Sequence, residues 1–104
     1  MKILWSPLAL SRLQNIVEYI SLDNKEIARK WAIRIFDSVK ILEQTPDLGR
    51  IVPEMNQKDI RELIINNYRI IYRVEHKQIS ILTVRHGKQL LPEEELSESS
   101  NPSS

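Results

Sequence analysis

The spacing of apolar residues along this chain changes period twice. Over Pro7 to Ser21, Leu13, Ile16, Val17 and Ile20 recur at intervals of three and four, the stripe of an amphipathic helix. Ser6-Pro7 opens that helix. The serine hydroxyl suits an N-cap, and proline at the first helical position lacks only a donor that would have no partner there. Ahead of it, Lys2 to Trp5 reads as a short strand running straight into the helix. Asp23-Asn24 is a break and a cap. The spacing then predicts a second helix from about Lys25 to Gln44, with Ile27, Ala28, Trp31, Ile35, Val39 and Leu42 along one side.

Thr45-Pro46-Asp47-Leu48-Gly49-Arg50 punctuates the end of this hairpin, and Val52-Pro53-Glu54 leads onward. From Ile60 to His86 the pattern becomes IRELIINNYRIIYRVEHKQISILTVRH, three β-rich runs separated by Asn66-Asn67 and His76-Lys77. This predicts a three-stranded antiparallel meander. Asparagine tolerates positive φ, so Asn66-Asn67 suits a two-residue primed turn that fixes register. Pairing Ile65 with Tyr68 and Glu75 with Gln78 puts Glu62, Arg69, Ile71, Arg73, Ser80, Leu82, Val84 and His86 on one mixed face. Leu63, Ile70, Tyr72, Val74, Ile79 and Ile81 share the other, with Arg61 and Arg85 near the same end. Val84 then lies opposite Arg69, and His86 diagonal to it. The apolar face is the one large surface able to receive the helical stripes, so the expected fold is α+β, in the order strand, helix, helix, strand, strand, strand.

Composition narrows the class. A chain of 104 residues with 41% apolar and 28% charged side chains fits one soluble domain. The pattern divides it into a folded domain over residues 1–90 and a tail over 91–104, rich in Glu and Ser and expected to be disordered. There is no cysteine, and two histidines in separate places make no ligand cluster, so neither a metal nor another cofactor is expected. No apolar run approaches membrane-spanning length and no leader pattern is visible, so a cytoplasmic protein without membrane contact is expected. Residues 1–91 carry 15 basic against 10 acidic side chains, a net charge of +5 that suits an acidic protein segment or a nucleic acid as partner.

Several segments together, WSPLALSRLQNIVEYI, LGRIVPE, IRELI, YRIIYRV and ILTVRHG, resemble the RelE/ParE superfamily of toxins over residues 2 to 90. The resemblance implies the toxin of a type II toxin-antitoxin module. Such a toxin is neutralised by a cognate antitoxin in a hetero-oligomer, and it meets operator DNA only through that antitoxin. The helical hairpin and LGRIVPE look like the ParE and plasmid-stabilisation branch, whose members poison DNA gyrase and are not enzymes. The lysine-rich catalytic cluster of RelE proper is absent.

The alternative is a ribosome-dependent mRNA endoribonuclease. The RelE-like subgroup typified by YoeB uses a loop Glu, a mid-strand Arg and a late His, and Glu54, Arg69 and His86 match those places. Cleavage by 2′-hydroxyl attack needs a base, a cation for the phosphorane and an acid for the leaving oxygen, which these three could supply in turn. Gly87, however, follows the histidine where that subgroup carries a Tyr or similar residue. For antitoxin or target binding, the expected residues are Arg69, Ile71, Arg73, Leu82, Arg85, His86 and Lys88, an apolar strip among cations. Glu54 also reads as a solvated loop acid, Arg61 as structural, and Trp5 and Trp31 as packing residues.

Overall fold

The computed structural model describes residues 1–87. Elements follow in the order β1 (Lys2–Trp5), α1 (Pro7–Asp23), α2 (Lys25–Lys40), a 3-10 turn (Ile41–Glu43), β2 (Arg50–Ile51), β3 (Ile60–Ile65), β4 (Tyr68–Val74) and β5 (Gln78–His86). The strands form one sheet in the order β1-β5-β4-β3-β2, with β1 parallel to β5 and every other pair antiparallel. This is the α+β architecture anticipated from the periodicity. It adds the two-residue β2, which pairs Arg50 with Glu62 and Ile51 with Arg61. A strand of two residues has no period to detect. Lys88 and the tail over 91–104 lie outside the described residues.

Both helix starts are capped as their sequences suggest. Ser6 Oγ accepts from Ala9 N at 3.0 Å, and Asn24 Oδ1 accepts from Ile27 N at 3.0 Å. The helices bury their stripes against one face of the sheet. There Ala9, Leu13, Trp31, Ile35, Val39 and Leu42 meet Ile65, Ile70, Tyr72, Ile79, Ile81 and Val84. Ile27 departs from expectation and stays 54% exposed, because the buried ladder runs Ala28, Trp31, Ile35, Val39, Leu42 and leaves Ile27 on its margin.

The meander turn is as expected: Ile65 pairs with Tyr68, and Asn66 and Asn67 adopt φ of 49° and 69°, the positive values a primed turn requires. Between β4 and β5 the register changes midway. Tyr72 pairs with Ile81, whereas Ile71 pairs with Thr83, so Leu82 is an extra residue, a β-bulge. Beyond it the pairing shifts by one. Arg69 therefore faces Arg85 rather than Val84, Val84 turns into the helix-side core, and His86 pairs with Tyr68. The expected placement of Val84 and His86 on the face of Arg69 is thus corrected by a single inserted residue.

A second correction concerns the other face of the sheet. It is covered, where the expected binding strip of Ile71 and Leu82 among cations needs it open: Val52, Ile60, Ile71 and Leu82 form a second core, with Met55 packed on it. The segment after β2 folds back over this face, held where Asn56 N and Met55 N donate to Val52 O and Val52 N donates to Ile60 O. Ile71 and Leu82 consequently have no solvent exposure.

Candidate functional site

Covering that face puts charged side chains in a dry place, where each must find a partner. Glu62 alternates with Arg61 and Leu63 along β3, which directs it under the returning loop, and its side chain is 0% exposed. Its two carboxylate oxygens are shared between arginines: Arg69 Nε donates to Oε1 and Arg50 Nε to Oε2, each at 2.6 Å. Arg69, buried on β4, turns its remaining edge to Glu54 in the loop. Nη1 and Nη2 reach the two oxygens of Glu54 at 2.8 and 2.9 Å, a bidentate fork. The chain Arg50–Glu62–Arg69–Glu54 is charge-balanced, two cations against two anions. All three guanidinium nitrogens of Arg69 are engaged within it.

The electrostatic consequences run in opposite directions on the two partners. The Arg69 fork holds the Glu54 carboxyl below the ordinary carboxylate range, against the opposing effect of partial burial. Hydrogen bonding by Glu54, reinforced by Glu62, pushes Arg69 further up, so it stays a cation at any pH the fold survives.

This network forms one wall of an open cleft of about 570 Å3 at the end of the sheet, lined by Arg50, Glu54, Ile64, Asn67, Arg69, His86 and Gly87. Glu54, Arg69 and His86, proposed together from sequence, do line one cavity. His86 stands edge-on to the Tyr68 ring, with centroids 5.5 Å apart. The other expected binding residues disperse. Arg73 sits at the opposite end of β4, 3.7 Å from Asp59, and Arg85 lines a smaller cleft against Arg12, Asn15 and Tyr19 of α1. Buried Ile71 and Leu82 offer a partner no surface in this conformation, so the expected apolar strip among cations is not an exposed feature.

Sequence reading missed Glu62 and Arg50, the members that hold Arg69 in place. A signal existed: an acid flanked by apolar residues on a strand, facing the same side as an arginine on the next. It also missed why Gly49 stands in LGRIVPE. Gly49 N donates to Tyr72 Oη at 2.8 Å, and that hydroxyl donates to Pro46 O at 2.8 Å. A Cβ at position 49 would lie 2.5 Å from Glu62 O and 2.7 Å from Tyr72 Oη, so only glycine permits the approach. Arg61 is structural as expected, its Nη1 donating to Gly49 O at 2.8 Å. Among the described residues there is no group of three or more His, Cys, Asp or Glu side chains able to hold a metal, and no helix long and apolar enough to cross a membrane.

Comparison with known proteins gives this arrangement a family. The model of the ParE toxin of type II toxin-antitoxin systems, parDE, matches residues 3–91. Y4kP of Sinorhizobium fredii (strain NBRC 101917 / NGR234), which carries a toxin name, is 35% identical over 94 residues, covering 88% of this chain and 94% of that protein. A chain from the chromosomal ParDE system of P. aeruginosa superposes with a TM-score of 0.68 at 28% identity, covering 83% of this chain and 95% of that one. With the hairpin, the sheet order and the glycine-pinned loop in place, the chain belongs to the ParE family of toxins of type II toxin-antitoxin systems.

Proposed function

We propose that this toxin arrests growth by binding DNA gyrase rather than by cutting RNA, and that a small cognate antitoxin neutralises it in the cytoplasm. The observation that carries this reading is the state of Arg69. A guanidinium that must stabilise a phosphorane needs its charge and donors turned to the substrate, and here three of the five N–H donors, one on each nitrogen, are bonded to Glu62 or Glu54, whose two carboxylates already offset the charge. Glu54, held below the ordinary carboxylate range with both oxygens in the fork, is a weak base for a 2′-hydroxyl. Gly87 after His86 and the missing lysine cluster point the same way. A poison that traps a protein–DNA intermediate needs complementary shape and favourable charge instead of a matched acid and base. The net charge of +5 over residues 1–91 meets the second condition. Operator DNA is reached only through the antitoxin.

One observation favours the alternative of a ribosome-dependent mRNA endoribonuclease: Glu54, Arg69 and His86 line the same cleft. Adding purified protein to a gyrase supercoiling reaction and, in parallel, to a coupled translation reaction with labelled mRNA separates the two. Inhibited supercoiling with intact mRNA is expected; cleaved mRNA with unaffected gyrase would establish the ribonuclease instead.

A further inference from the structure

At the corner where α1 turns into α2, three large apolar side chains stand in solvent together: Tyr19 is 72% exposed, Leu22 86% and Ile27 54%. One exposed leucine is ordinary, but a cluster of this kind on a small domain marks a contact surface. Leu22 and Asp23 form the tip of the corner, where they line a recess with Tyr19, Ile20 and Ile27. A groove of about 390 Å3 shares Ile20 and Ile27 with that recess and continues along α2, past Lys30, Trp31 and Arg34, to Tyr68 on β4. A projecting apolar knob and an apolar-walled groove thus lie side by side. The charges divide in the same way. Asp23 stands at the knob and Lys30 and Arg34 at the groove, all three exposed and none in an ion pair with its own chain among the described residues.

We infer that the occupant of this groove is the Leu22–Asp23 corner of a second copy of the chain, in a two-fold dimer whose axis passes near Ile27. An isologous contact requires each copy to offer both halves of the fit on one patch, and here knob and groove share Ile20 and Ile27. The helix spacing agrees. At about 1.5 Å per residue, Lys30 lies roughly 4.5 Å along α2 from Ile27 in one direction and the Asp23-Asn24 corner about 4.5–6 Å in the other. Two copies of α2 running antiparallel across that axis therefore set Asp23 of each against Lys30 of the other. Arg34, one turn further on, adds to the field that receives the carboxylate. Leu22 enters beside Ile20, Ile27 and Trp31, which takes its side chain out of water. Every contact occurs twice. A different protein in the groove leaves Leu22 and Asp23 of the same patch unused, whereas a second copy satisfies both. The Arg69 cleft takes no part, so the dimer stands whichever target the toxin has.

Sedimentation equilibrium of the full chain, without antitoxin, is the test. The parent should pass from monomer to dimer with rising concentration, and the indole 15N signal of Trp31 should shift over the same range while that of Trp5, which packs on Phe36 at another surface, stays put. Leu22→Asp, at a position too exposed to disturb the fold, should raise the dimer Kd by about 100-fold. Asp23→Lys and Lys30→Glu, each alone, bring like charges together and should weaken the dimer by about tenfold. Mixing these two variants is the decisive arm, because across a two-fold axis each new lysine then faces a new glutamate and each native Asp23 a native Lys30. The mixture should dimerise about as tightly as the parent. A parent that stays monomeric at every attainable concentration would leave the groove to another protein and overturn the inference. So would a dimer that Leu22→Asp does not weaken, or a mixture no tighter than its two components.

Discussion

The hydroxyl of Ser6 donates to the carbonyl of Leu82 at 2.9 Å, across 76 residues of chain, while accepting from Ala9 N. One oxygen therefore caps α1 and satisfies the carbonyl of the bulged residue, which the ladder between β4 and β5 leaves out. Ser6 N also donates to Ile81 O at 3.0 Å, so the entry to the helix is fastened to the bulge on both sides. The bulge in turn sends Val84 into the core and leaves His86 and Gly87 at the cleft. Ser6→Ala removes the cap and orphans a buried carbonyl, and should cost about 2 kcal/mol in urea unfolding. Ser6→Thr, which keeps the oxygen, should recover most of it. Equal stabilities of the alanine variant and the parent would mean water fills both roles.

Glu62 is the centre of the charged network, and its neutralisation is predicted to be the most damaging single change in the cleft. Glu62→Gln leaves two guanidinium groups with one carboxylate between them in a dry site, at a cost of about 3 kcal/mol. The comparison is Glu54→Gln, whose side chain is 38% exposed and rehydrates easily, so its loss should be well under half as large. Chemical denaturation of both variants ranks them. A larger loss from Glu54 would place the anchor of Arg69 in the loop instead of the sheet.

The same pair sets an acid limit. Arg69 depresses the folded-state pKa of Glu54 below its ordinary 4.5, so this carboxylate contributes stability in full above about pH 4.5 and loses it as pH falls through the lower folded value. Acid unfolding monitored by circular dichroism should be shallower over that window in Glu54→Gln than in the parent, because the glutamine cannot titrate. Parallel curves would show that the fork adds nothing to stability.

Gly49 offers a sharper steric test. Adding one methyl at this position requires Glu62 and Tyr72 to retreat from contacts of 2.5 and 2.7 Å, and the first is backbone. Gly49→Ala should cost about 2 kcal/mol, in the range of overpacked cores. Tyr72→Phe removes the hydroxyl that Gly49 N and Pro46 O share and should cost about 1 kcal/mol. The double variant should lose less than the sum, since without the hydroxyl part of the clash is gone. Strict additivity would locate the strain wholly in the backbone of β3.

Elements whose signal is periodic were legible in the sequence. The helical stripes, the Ser6 and Asn24 caps and the Asn66-Asn67 turn all depend on residues within four positions of one another. The bulge at Leu82 was not legible, because nothing in ISILTVRH distinguishes an inserted residue from a regular strand, and one residue reverses every later side chain. The covered face was hidden for a related reason. Val52 and Met55 lie in a segment without period, so nothing local says that they return over Ile71 and Leu82. A substitution such as Ile71→Asp, which on an exposed strip would probe partner binding, instead places a charge in a closed core and should prevent folding. Of the candidate cleft, Glu54, Arg69 and His86 were individually visible, but the pairing that holds them was not: Glu54 reached Arg69 because the loop came back, and the overlooked Arg50 reached Glu62 through a strand of two residues.

That pairing gives the last prediction. If the toxin acts by binding, no proton moves through His86 and no hydroxyl is deprotonated by Glu54, so neither His86→Gln nor Glu54→Gln should relieve growth arrest when the chain is expressed without antitoxin. Both substitutions keep a polar group in an open cleft, and the parent's far-ultraviolet spectrum and melting profile serve as the check that each variant is folded. In a ribonuclease, by contrast, loss of an acid or base of this kind lowers the rate by factors of about 10²–10⁴, enough to restore growth. The messenger pool supplies an independent reading, since an enzyme would leave cut transcripts in the parent that disappear in both variants. Persistent arrest with intact transcripts is the outcome expected here. Folded variants that release growth together with loss of cut transcripts would show that the Arg69 fork opens on the ribosome and that the cleft is catalytic.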